Sequence, residues 1–351
     1  MNNEKTFVIL TPGFPSSEHD STCLPMQQNL IRKLKEVRPD LNIVVLSFQY
    51  PYHKNPYKWH DICVIPFNGK NRGGLTRLLL RKRVNSELKK INSEGSIAGL
   101  LSFWYNECAW IGKKFADAHS LTHRCWILGQ DAKKQNTSPR RLKPNGYELI
   151  ALSDFVRDEF RKNHGVEPRH IVPAAIDALE FDKYDGIKNI DIVAAGSLIP
   201  LKQYTVFVEI VSALQKTLPG VRALLIGDGP DRKQLERMIK KSGLKQNLVI
   251  TGELPHKQVL DCMQKATLFL HPSSYEGFGV VCLEALYAGA HVISFCKPMK
   301  KEIPQWHTVE TKEEMLAKAF MLLRNRPFRV ERVLPYSIED QAKSMLEIFG
   351  L

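Results

Sequence analysis

Two glutamates and two glycines stand close together in one segment of the chain, from His271 to Gly289. The segment follows the apolar run Leu268–Leu270, and its loop Glu276-Gly-Phe-Gly279 comes directly before a helical pattern. Backbone N–H groups and the positive end of the dipole at a helix start favour an anion such as a diphosphate. Glycines let the backbone approach such a ligand closely. The segment therefore predicts an anion site on a strand–loop–helix unit.

The glutamates of this segment, Glu276 and Glu284, are eight residues apart. This is a little over two helical turns, so both side chains can face one bound ligand. An ionised carboxylate accepts several hydrogen bonds and suits the neighbouring hydroxyls of a ribose or another sugar. A plain strand–turn–helix with one capping and one solvated glutamate gives the same spacing. The spacing alone leaves both interpretations open.

Short apolar runs alternate with helical patterns throughout the chain, which is typical of parallel sheets covered by helices on both faces. In the first half these runs are Phe7–Leu10, Ile43–Phe48, Ile62–Ile65, Gly99–Phe103, Arg124–Leu128 and Leu149–Leu152. In the second half they are Ile190–Ala195, Ala223–Ile226, Leu248–Ile250, Leu268–Leu270 and His291–Ser294. The pattern predicts two Rossmann-like α/β domains joined by a linker at 172–188. Ligands of such sheets bind beyond the carboxyl ends of the strands, which predicts a site in a cleft between the domains.

Composition narrows the class of protein. The chain has 351 residues, enough for about two domains, and its 43% hydrophobic and 25% charged residues are ordinary for a globular protein. No apolar run approaches the ~20 residues of a membrane-spanning helix, and the first residues lack the pattern of a signal peptide. The seven scattered cysteines form no CxxC pair, which argues against a disulfide framework and a zinc site. We therefore expect a cytoplasmic protein without a metal.

The positive charge is concentrated in residues 1–178, which indicates an anionic partner for the first half. The basic segment 70–90 contributes Lys70, Arg72, Arg77, Arg81, Lys82, Arg83, Lys89 and Lys90. Apolar residues at helical spacing within it, Leu80, Val84, Leu88 and Ile91, predict an amphipathic helix. Such a helix can lie on an anionic membrane, or it can pack its apolar face into its own domain. No recognised nucleic-acid module is present, so nucleic acid is not expected as a partner.

Four motifs in the second half resemble those of retaining nucleotide-sugar glycosyltransferases with the GT-B fold, in particular glycosyltransferase family 4. Glu276 and Glu284 resemble the Glu-x7-Glu signature of this family. The other matches, in chain order, are Ala194-Ala-Gly-Ser-Leu-Ile-Pro-Leu-Lys202, Leu225-Ile-Gly-Asp-Gly-Pro230 and Thr251-Gly-Glu-Leu254. The first resembles the Gly-Arg-Leu-x-x-x-Lys segment that opens the donor domain, the second a Gly-Asp-Gly-Pro turn, and the third the loop that frames the nucleobase.

The resemblance implies roles for these residues. Lys202 would neutralise the donor diphosphate as it leaves, which needs no metal. Glu276 would contact sugar hydroxyls and Glu284 the ribose. The remaining donor-binding candidates are Gly196, Ser197, Gly252, Glu253, Gly277, Phe278 and Gly279. Gly227 and Gly229 are expected to shape a turn rather than to contact the donor.

The chain departs from the family pattern in three places. Ser197 stands where the family usually has an arginine paired with the lysine on the diphosphate. In the first half, Trp126-Ile-Leu-Gly-Gln-Asp131 resembles the Thr-x-His-Gly-x-Asp segment, with Leu128 in place of the histidine. Asp131 is retained and follows a strand, so it is a further catalytic candidate. The loop after the first strand has the single Gly13 where the family often has two glycines.

The resemblance implies three parts of the chain: an acceptor-side domain at 1–176, a donor-binding domain at 177–334, and a last helix at 335–351 that packs back on the first domain. The implied activity is retaining transfer of a sugar from a nucleoside-diphosphate donor to a hydroxyl of a glycan or lipid-linked acceptor. It belongs to surface polysaccharide or glycan synthesis, in the cytoplasm or at the inner face of the membrane.

Three other activities remain open from the sequence. The first is another GT-B enzyme, a sugar phosphorylase or nucleotide-sugar epimerase. The second is a catalytically silent binding protein that kept the fold. The third is an NAD-dependent dehydrogenase, which is disfavoured because no Gly-x-Gly-x-x-Gly follows the first strand.

Overall fold

The structure is a computed structural model, and it describes residues 5–20, 23–184, 186–325 and 331–351. Residues 1–4 at the N-terminus, which carry part of the signal-peptide argument, and residue 185 of the expected linker lie outside these ranges. The chain divides into two compact units. Unit 1 comprises Met1–Ala174 with Ile338–Leu351, and unit 2 comprises Ala175–Ser337. The boundaries expected from the sequence lie within three residues of these.

Unit 1 is built on one sheet whose described strands are β1 (Lys5–Gly13), β2 (Asn42–Tyr50), β3 (Tyr57–Trp59), β4 (Ile62–Pro66), β5 (Ser96–Phe103), β6 (His123–Ile127), β7 (Leu149–Ala151) and β8 (His170–Ile171). Its helices between these strands are α1 (Pro25–Val37), α2 (Gly74–Glu94), α3 (Glu107–His119), α4 (Ser138–Leu142) and α5 (Asp154–His164). The strand order is β3-β4-β2-β1-β5-β6-β7-β8. Only β3 pairs antiparallel among these described strands. The centre of the sheet is buried on both faces, as the apolar runs predict.

Unit 2 is built on a parallel sheet whose described strands are β9 (Ile190–Ala195), β10 (Ala223–Ile226), β11 (Leu248–Gly252), β12 (Ala266–His271), β13 (His291–Ser294) and β14 (Trp306–Thr308). Its helices are α6 (Tyr204–Gln215), α7 (Arg232–Lys241), α8 (His256–Lys265), α9 (Val280–Tyr287) and α10 (Lys312–Arg324). The strand order is β11-β10-β9-β12-β13-β14. The chain therefore reverses its direction of winding between β9 and β12, which are neighbours in the sheet. In sheets of this order, ligands bind at that reversal.

The last helix, α11 (Ile338–Phe349), belongs to unit 1 although the chain reaches it only after unit 2. It packs against α1, and the ring of Phe349 meets the ring of Phe7 edge-on at 4.8 Å. Gly99 makes room for this ring, because a Cβ there would lie 2.5 Å from Phe349 Cδ1. The amide of Gln341 donates to the carbonyl of Pro173. The helix is thus an integral part of the unit 1 core.

Most of the basic segment lies in α2, which begins after Lys70 and Arg72, and the four apolar residues that sequence spacing placed on one face are all buried. This agrees with packing of that face into unit 1. The first two turns of the helix are different, because Leu75, Leu78 and Leu79 are 79%, 53% and 59% exposed. Spacing did not single out these three leucines.

Two general features concern cysteines and membrane spans. All seven cysteines are unpaired, and Cys108, Cys125 and Cys282 are buried as small apolar side chains. Within the described ranges, no helix is both long and apolar enough to cross a membrane.

Candidate active site

Gly196, Lys202 and Glu276, which are predicted to contact the donor, lie in the loops where β9 and β12 end. The loop after β9 carries Gly196 and a 3-10 turn at Pro200–Lys202, and the loop after β12 carries Glu276. The two loops are joined at the carbonyl of Leu201, which accepts hydrogen bonds from Ser274 N at 3.0 Å and Ser273 Oγ at 3.3 Å. The topology therefore brings together two motifs that are more than seventy residues apart in sequence.

Lys202 and Glu276 form an ion pair at this point. The ammonium of Lys202 and the imidazole Nε2 of His271, at 3.2 Å, both contact Oε1 of Glu276. The lysine and glutamate side chains are only 19% and 17% exposed. Burial raises the pKa of the Glu276 carboxyl, but the hydrogen bond with His271 and the charge of Lys202 outweigh it and lower that pKa to about 2. Glu276 is therefore ionised at neutral pH.

His271 is the last residue of β12 and is 1% exposed. Burial lowers its pKa, although the neighbouring Glu276 opposes this shift. A neutral imidazole can hold its proton on Nε2 and donate it to Glu276. His271 thus fixes the carboxylate beside Lys202 without adding a positive charge.

The glycine loop leads from Glu276 into α9. Gly279 precedes the helix with a φ of 85°, a left-handed conformation that favours glycine. The N–H groups at the start of a helix point away from it towards a bound anion, although in α9 that of Cys282 already donates to Gly279 O at 2.8 Å. The ring of Phe278 is buried against Trp306 and Tyr336, so any donor contact of this residue is through its backbone.

The loops after β9, β10 and β11 are joined by backbone hydrogen bonds. Gly196 N donates to Ile226 O at 2.9 Å, and Gly227 N donates to Gly252 O at 2.9 Å. A Cβ at Gly227 would lie 2.0 Å from the carbonyl oxygen of Gly196, and one at Gly229 would lie 2.5 Å from that of Leu198. The two glycines of the Gly-Asp-Gly-Pro turn therefore allow the loops to touch, as the sequence interpretation expected.

Ser197, Gly252 and Glu253 are the remaining donor-binding candidates on this edge of the sheet. Ser197, in place of the usual arginine, is exposed. An arginine from α7 does reach the loops after β9, β10 and β11. Nη1 of Arg232 lies 3.3 Å from where a Cβ of Gly252 would be. Its guanidinium pairs with Asp228 at 2.7 Å and Glu236 at 2.9 Å. Glu253 follows β11 and is exposed.

Glu284 lies in the second turn of α9 and contacts a histidine that the sequence interpretation did not consider. His256 Nε2 lies 3.0 Å from Oε1 of Glu284, and His256 Nδ1 lies 3.7 Å from Oε2 of Glu180. The hydrogen bond with Glu284 is the main cause that raises the pKa of His256, and burial opposes it. Protonated His256 bridges two carboxylates and orients the proposed ribose-binding glutamate.

This bridge makes a prediction about pH. Because the pKa of His256 is raised on folding, its stabilising contribution is complete below the ordinary value of 6.5 and disappears as the pH rises through the folded-state pKa. We expect His256→Gln to lower the free energy of unfolding at about pH 5.5 by no more than about 1 kcal/mol, because the ring is partly exposed. At about pH 9 the difference should vanish. Denaturant titrations at both pH values measure the free energy of unfolding of the wild type and the variant, with the exposed His19→Gln as control. A larger loss at the higher pH would contradict the bridge.

Asp131, predicted as catalytic, is in unit 1 and is 6% exposed. Its Oδ2 accepts the N–H of Tyr105 at 2.7 Å, and its Oδ1 accepts those of Leu128 at 3.0 Å and Gly129 at 2.9 Å. Burial raises the pKa of Asp131 to about 6, although the backbone hydrogen bonds oppose the shift. The carboxylate thus ties the loop after β5 to the loop after β6. This is a structural task, and a catalytic role stays a prediction.

The described residues include no group of three or more His, Cys, Asp or Glu side chains arranged to hold a metal ion. The positive charge beside Glu276 comes from Lys202.

Comparison with known proteins matches part of the chain to a family. Residues 180–325, which include the Lys202–Glu276 pair, match the family model described as Glycosyl transferases group 1. The chain carries a group 1 glycosyltransferase domain. For these residues, the match agrees with the glycosyltransferase family expected from the sequence.

Two curated relatives and one solved structure extend this result. The chain is 34% identical over 174 residues to 2-deoxystreptamine N-acetyl-D-glucosaminyltransferase of Niallia circulans, covering 50% of this chain and 42% of that protein. It is 33% identical over 151 residues to the gpi3 subunit of phosphatidylinositol N-acetylglucosaminyltransferase of Schizosaccharomyces pombe, covering 42% and 33%. The matches thus span less than half the length of either relative. HepE of Anabaena, solved with UDP and glucose, aligns over 99% of both chains with a TM-score of 0.66 at 15% identity. This likeness confirms the GT-B fold.

Beyond the predicted residues, the structure adds His271, His256 and Tyr204 to the surroundings of this candidate site. His271 had a signal in the sequence, because it ends a strand at an edge where ligands bind. His256 meets Glu284 only through tertiary packing, and Tyr204 lies two residues after Lys202 but carries no charge or motif that marks it.

Proposed function

We propose that the protein is a retaining glycosyltransferase that transfers a sugar from a nucleoside-diphosphate donor, held by unit 2, to a hydroxyl acceptor in glycan synthesis. The main support is the Lys202–Glu276–His271 cluster at the reversal between β9 and β12, beside the glycine loop that begins α9. A partly buried ammonium and a helix start suit a diphosphate, and an ionised carboxylate suits sugar hydroxyls.

In the proposed reaction, the bond between the sugar and the diphosphate breaks while the acceptor oxygen bonds to the same carbon. Lys202 stabilises the negative charge that develops on the leaving diphosphate, and no metal is required. Glu276 orients the sugar, and Glu284 holds the ribose. Retention follows the front-face route that the family resemblance implies, in which the leaving phosphate accepts the proton of the acceptor hydroxyl.

UDP is the first nucleotide to test. The solved HepE structure holds UDP and glucose, and both curated relatives are N-acetylglucosaminyltransferases by name. These names support a UDP-linked hexose, with UDP-N-acetylglucosamine as the first donor to try.

Ligand-induced stabilisation tests the donor site. A nucleotide at about 100 times its dissociation constant adds about 2.7 kcal/mol to the free energy of unfolding of the unit that binds it. We expect UDP to raise the melting temperature of the wild type and Glu284→Ala to abolish most of this shift. Glu209→Ala is the matched control, because Glu209 is an exposed glutamate of unit 2 that pairs with Lys312.

Four outcomes separate the alternatives. A shift by GDP or ADP instead of UDP would change the donor base but keep the site. A shift by NAD alone would overturn the proposal. Nucleotide binding without any release of UDP from UDP-sugars, with or without acceptors, would favour a silent binding protein. UDP-sugar turnover that needs inorganic phosphate, or that yields only an epimer, would identify another GT-B enzyme.

We propose further that unit 1 works at the inner face of an anionic membrane, where a lipid-linked acceptor resides. The start of α2 presents Leu75, Leu78 and Leu79 to solvent, with the exposed Arg72 and Arg77 beside them. Apolar side chains flanked by basic ones bind the interface of anionic bilayers. A cleft of about 270 Å³, lined in part by Arg72, Arg77, Asn106 and Glu107, adjoins this helix start.

Vesicle co-sedimentation measures this association. We expect the wild type to sediment with vesicles that contain phosphatidylglycerol and much less with pure phosphatidylcholine. Replacing Leu75, Leu78 and Leu79 by serine should release it. The matched control places serine at three exposed apolar positions of unit 2: Leu179, Ile187 and Met321. Equal sedimentation with both lipids, or an equal loss in the control, would contradict the proposal.

A further inference from the structure

Tyr204 begins α6, two residues after Lys202 in the chain. Its side chain is 3% exposed, and within the described residues no protein group hydrogen-bonds to its hydroxyl. A buried hydroxyl without a partner is destabilising, because it has lost its hydrogen bonds to water. Buried polar groups of this kind are uncommon in native proteins and call for an explanation.

The position of the Tyr204 hydroxyl explains why it has no partner within the protein. Tyr204 Oη lies 2.8 Å from where a Cβ of Gly196 would be, and Lys202 Cε lies 3.7 Å from the same point. The hydroxyl, the end of the lysine side chain and the glycine backbone therefore converge on one spot. A side chain at position 196 would fill the space into which the hydroxyl points.

The electrostatic surroundings identify the chemistry of a partner. Burial and, after it, the charge of Glu276 raise the pKa of Tyr204. The phenol is therefore neutral and holds a proton that it can donate. A donor beside the Lys202 ammonium suits an anion with several acceptor oxygens, which a phosphate provides.

We propose that the Tyr204 hydroxyl donates a hydrogen bond to the diphosphate of the nucleotide donor, beside Lys202. This inference rests on the proposed donor site of unit 2. The tyrosine supplies a phosphate contact on the loop where Ser197 replaces the usual arginine. A neutral hydroxyl cannot replace the charge of an arginine, but it adds a directed hydrogen bond.

The variant Tyr204→Phe removes only the hydroxyl. In the protein alone it should leave the free energy of unfolding unchanged or raise it, because an unpartnered polar group is lost. In UDP titrations by calorimetry its dissociation constant should rise about tenfold, since a hydrogen bond to a charged group is lost. A hydroxyl bonded within the protein would instead give lower stability and unchanged UDP affinity.

Tyr105→Phe is the matched control. The Tyr105 hydroxyl is also buried and has no hydrogen-bond partner among the described residues, but it lies in unit 1. We expect this variant to behave like Tyr204→Phe in the unfolding of the free protein and like the wild type in UDP binding. A comparable loss of UDP affinity in both variants would overturn the inference.

Two further measurements complete the test. UMP should lose less affinity than UDP on Tyr204→Phe if the contact is to the diphosphate. An unchanged affinity for UDP combined with a weaker affinity for UDP-N-acetylglucosamine would place the hydroxyl on the sugar and overturn the inference. If the wild type binds none of the nucleoside diphosphates, the proposed function and the tyrosine contact both fail. Wild-type binding that Tyr204→Phe leaves unchanged overturns the tyrosine contact alone.

Discussion

Replacing Lys202 by methionine is expected to lower the rate of sugar transfer by a factor of about 100 to 1,000, the usual cost of removing one group that stabilises developing charge. Lys202 is the cation paired with Glu276 beside the glycine loop, so the leaving diphosphate would lose its ammonium. Release of UDP from UDP-N-acetylglucosamine measures the rate even without a known acceptor. Lys202→Arg should recover part of it.

The control for this change is another lysine with the same surroundings. Lys113 in unit 1 pairs with Glu148 at 2.7 Å, and the two side chains are 16% and 17% exposed. Lys113→Met therefore breaks an equally buried ion pair and should cost similar stability, but it should leave UDP release at the wild-type rate. Full activity of Lys202→Met, or an equal loss in both variants, would show that the donor site has been assigned to the wrong residues.

Replacing Gly227 by alanine is expected to destabilise unit 2 by about 3 kcal/mol or more. The new Cβ would lie 2.0 Å from the carbonyl oxygen of Gly196, and the backbone there has a φ of 136°. The loops after β9 and β10 would have to separate, which displaces the loop that carries Lys202. We therefore expect UDP binding to be lost as well.

Two other glycines of unit 2 serve as controls, because they distinguish the strain of a left-handed φ from the steric clash of the new Cβ. Gly243 has a φ of 69° but no atom near the position of a Cβ, and Gly220 has neither a left-handed φ nor a near neighbour. Gly243→Ala should therefore cost about 1–2 kcal/mol from backbone strain alone, and Gly220→Ala should cost little. Chemical denaturation measures all three. A cost at Gly227 no greater than at Gly243 would mean that the close approach of the loops is unimportant.

The sequence predicted most strands of the two sheets because runs of consecutive apolar residues must be buried. The runs 190–195 and 268–270 correspond to β9 and β12, and their ends hold the proposed site. The sequence did not reveal the strands β3, β8 and β14. They are two or three residues long and too short to show a period. The spacing correctly placed Leu80 and Val84 on one face of α2, which is buried, but it did not predict the exposure of Leu75.

The site was predicted in its parts but not in its contacts. The glycine loop and the spacing of the glutamates pointed to Glu276 and Glu284, and the family resemblance pointed to Lys202. Their partners come from other elements: His271 from the end of β12, and His256 from the start of α8. Hydrogen bonds of this kind depend on the packing of one helix or strand against another, which no local pattern records. The same holds for Asp131, whose two oxygens are directed to backbone N–H groups of two loops.

The membership of α11 in unit 1 has a consequence for synthesis on the ribosome. Domains generally fold as units while the chain emerges, and unit 2 is one continuous segment that can do so. Unit 1 cannot, because its last helix is translated after all of unit 2. Until then, the surfaces around Phe7 and Gly99 that Phe349 covers remain bare. The first unit to emerge is thus the last to be completed, and the nascent chain is exposed to misfolding and chaperone binding throughout the translation of unit 2.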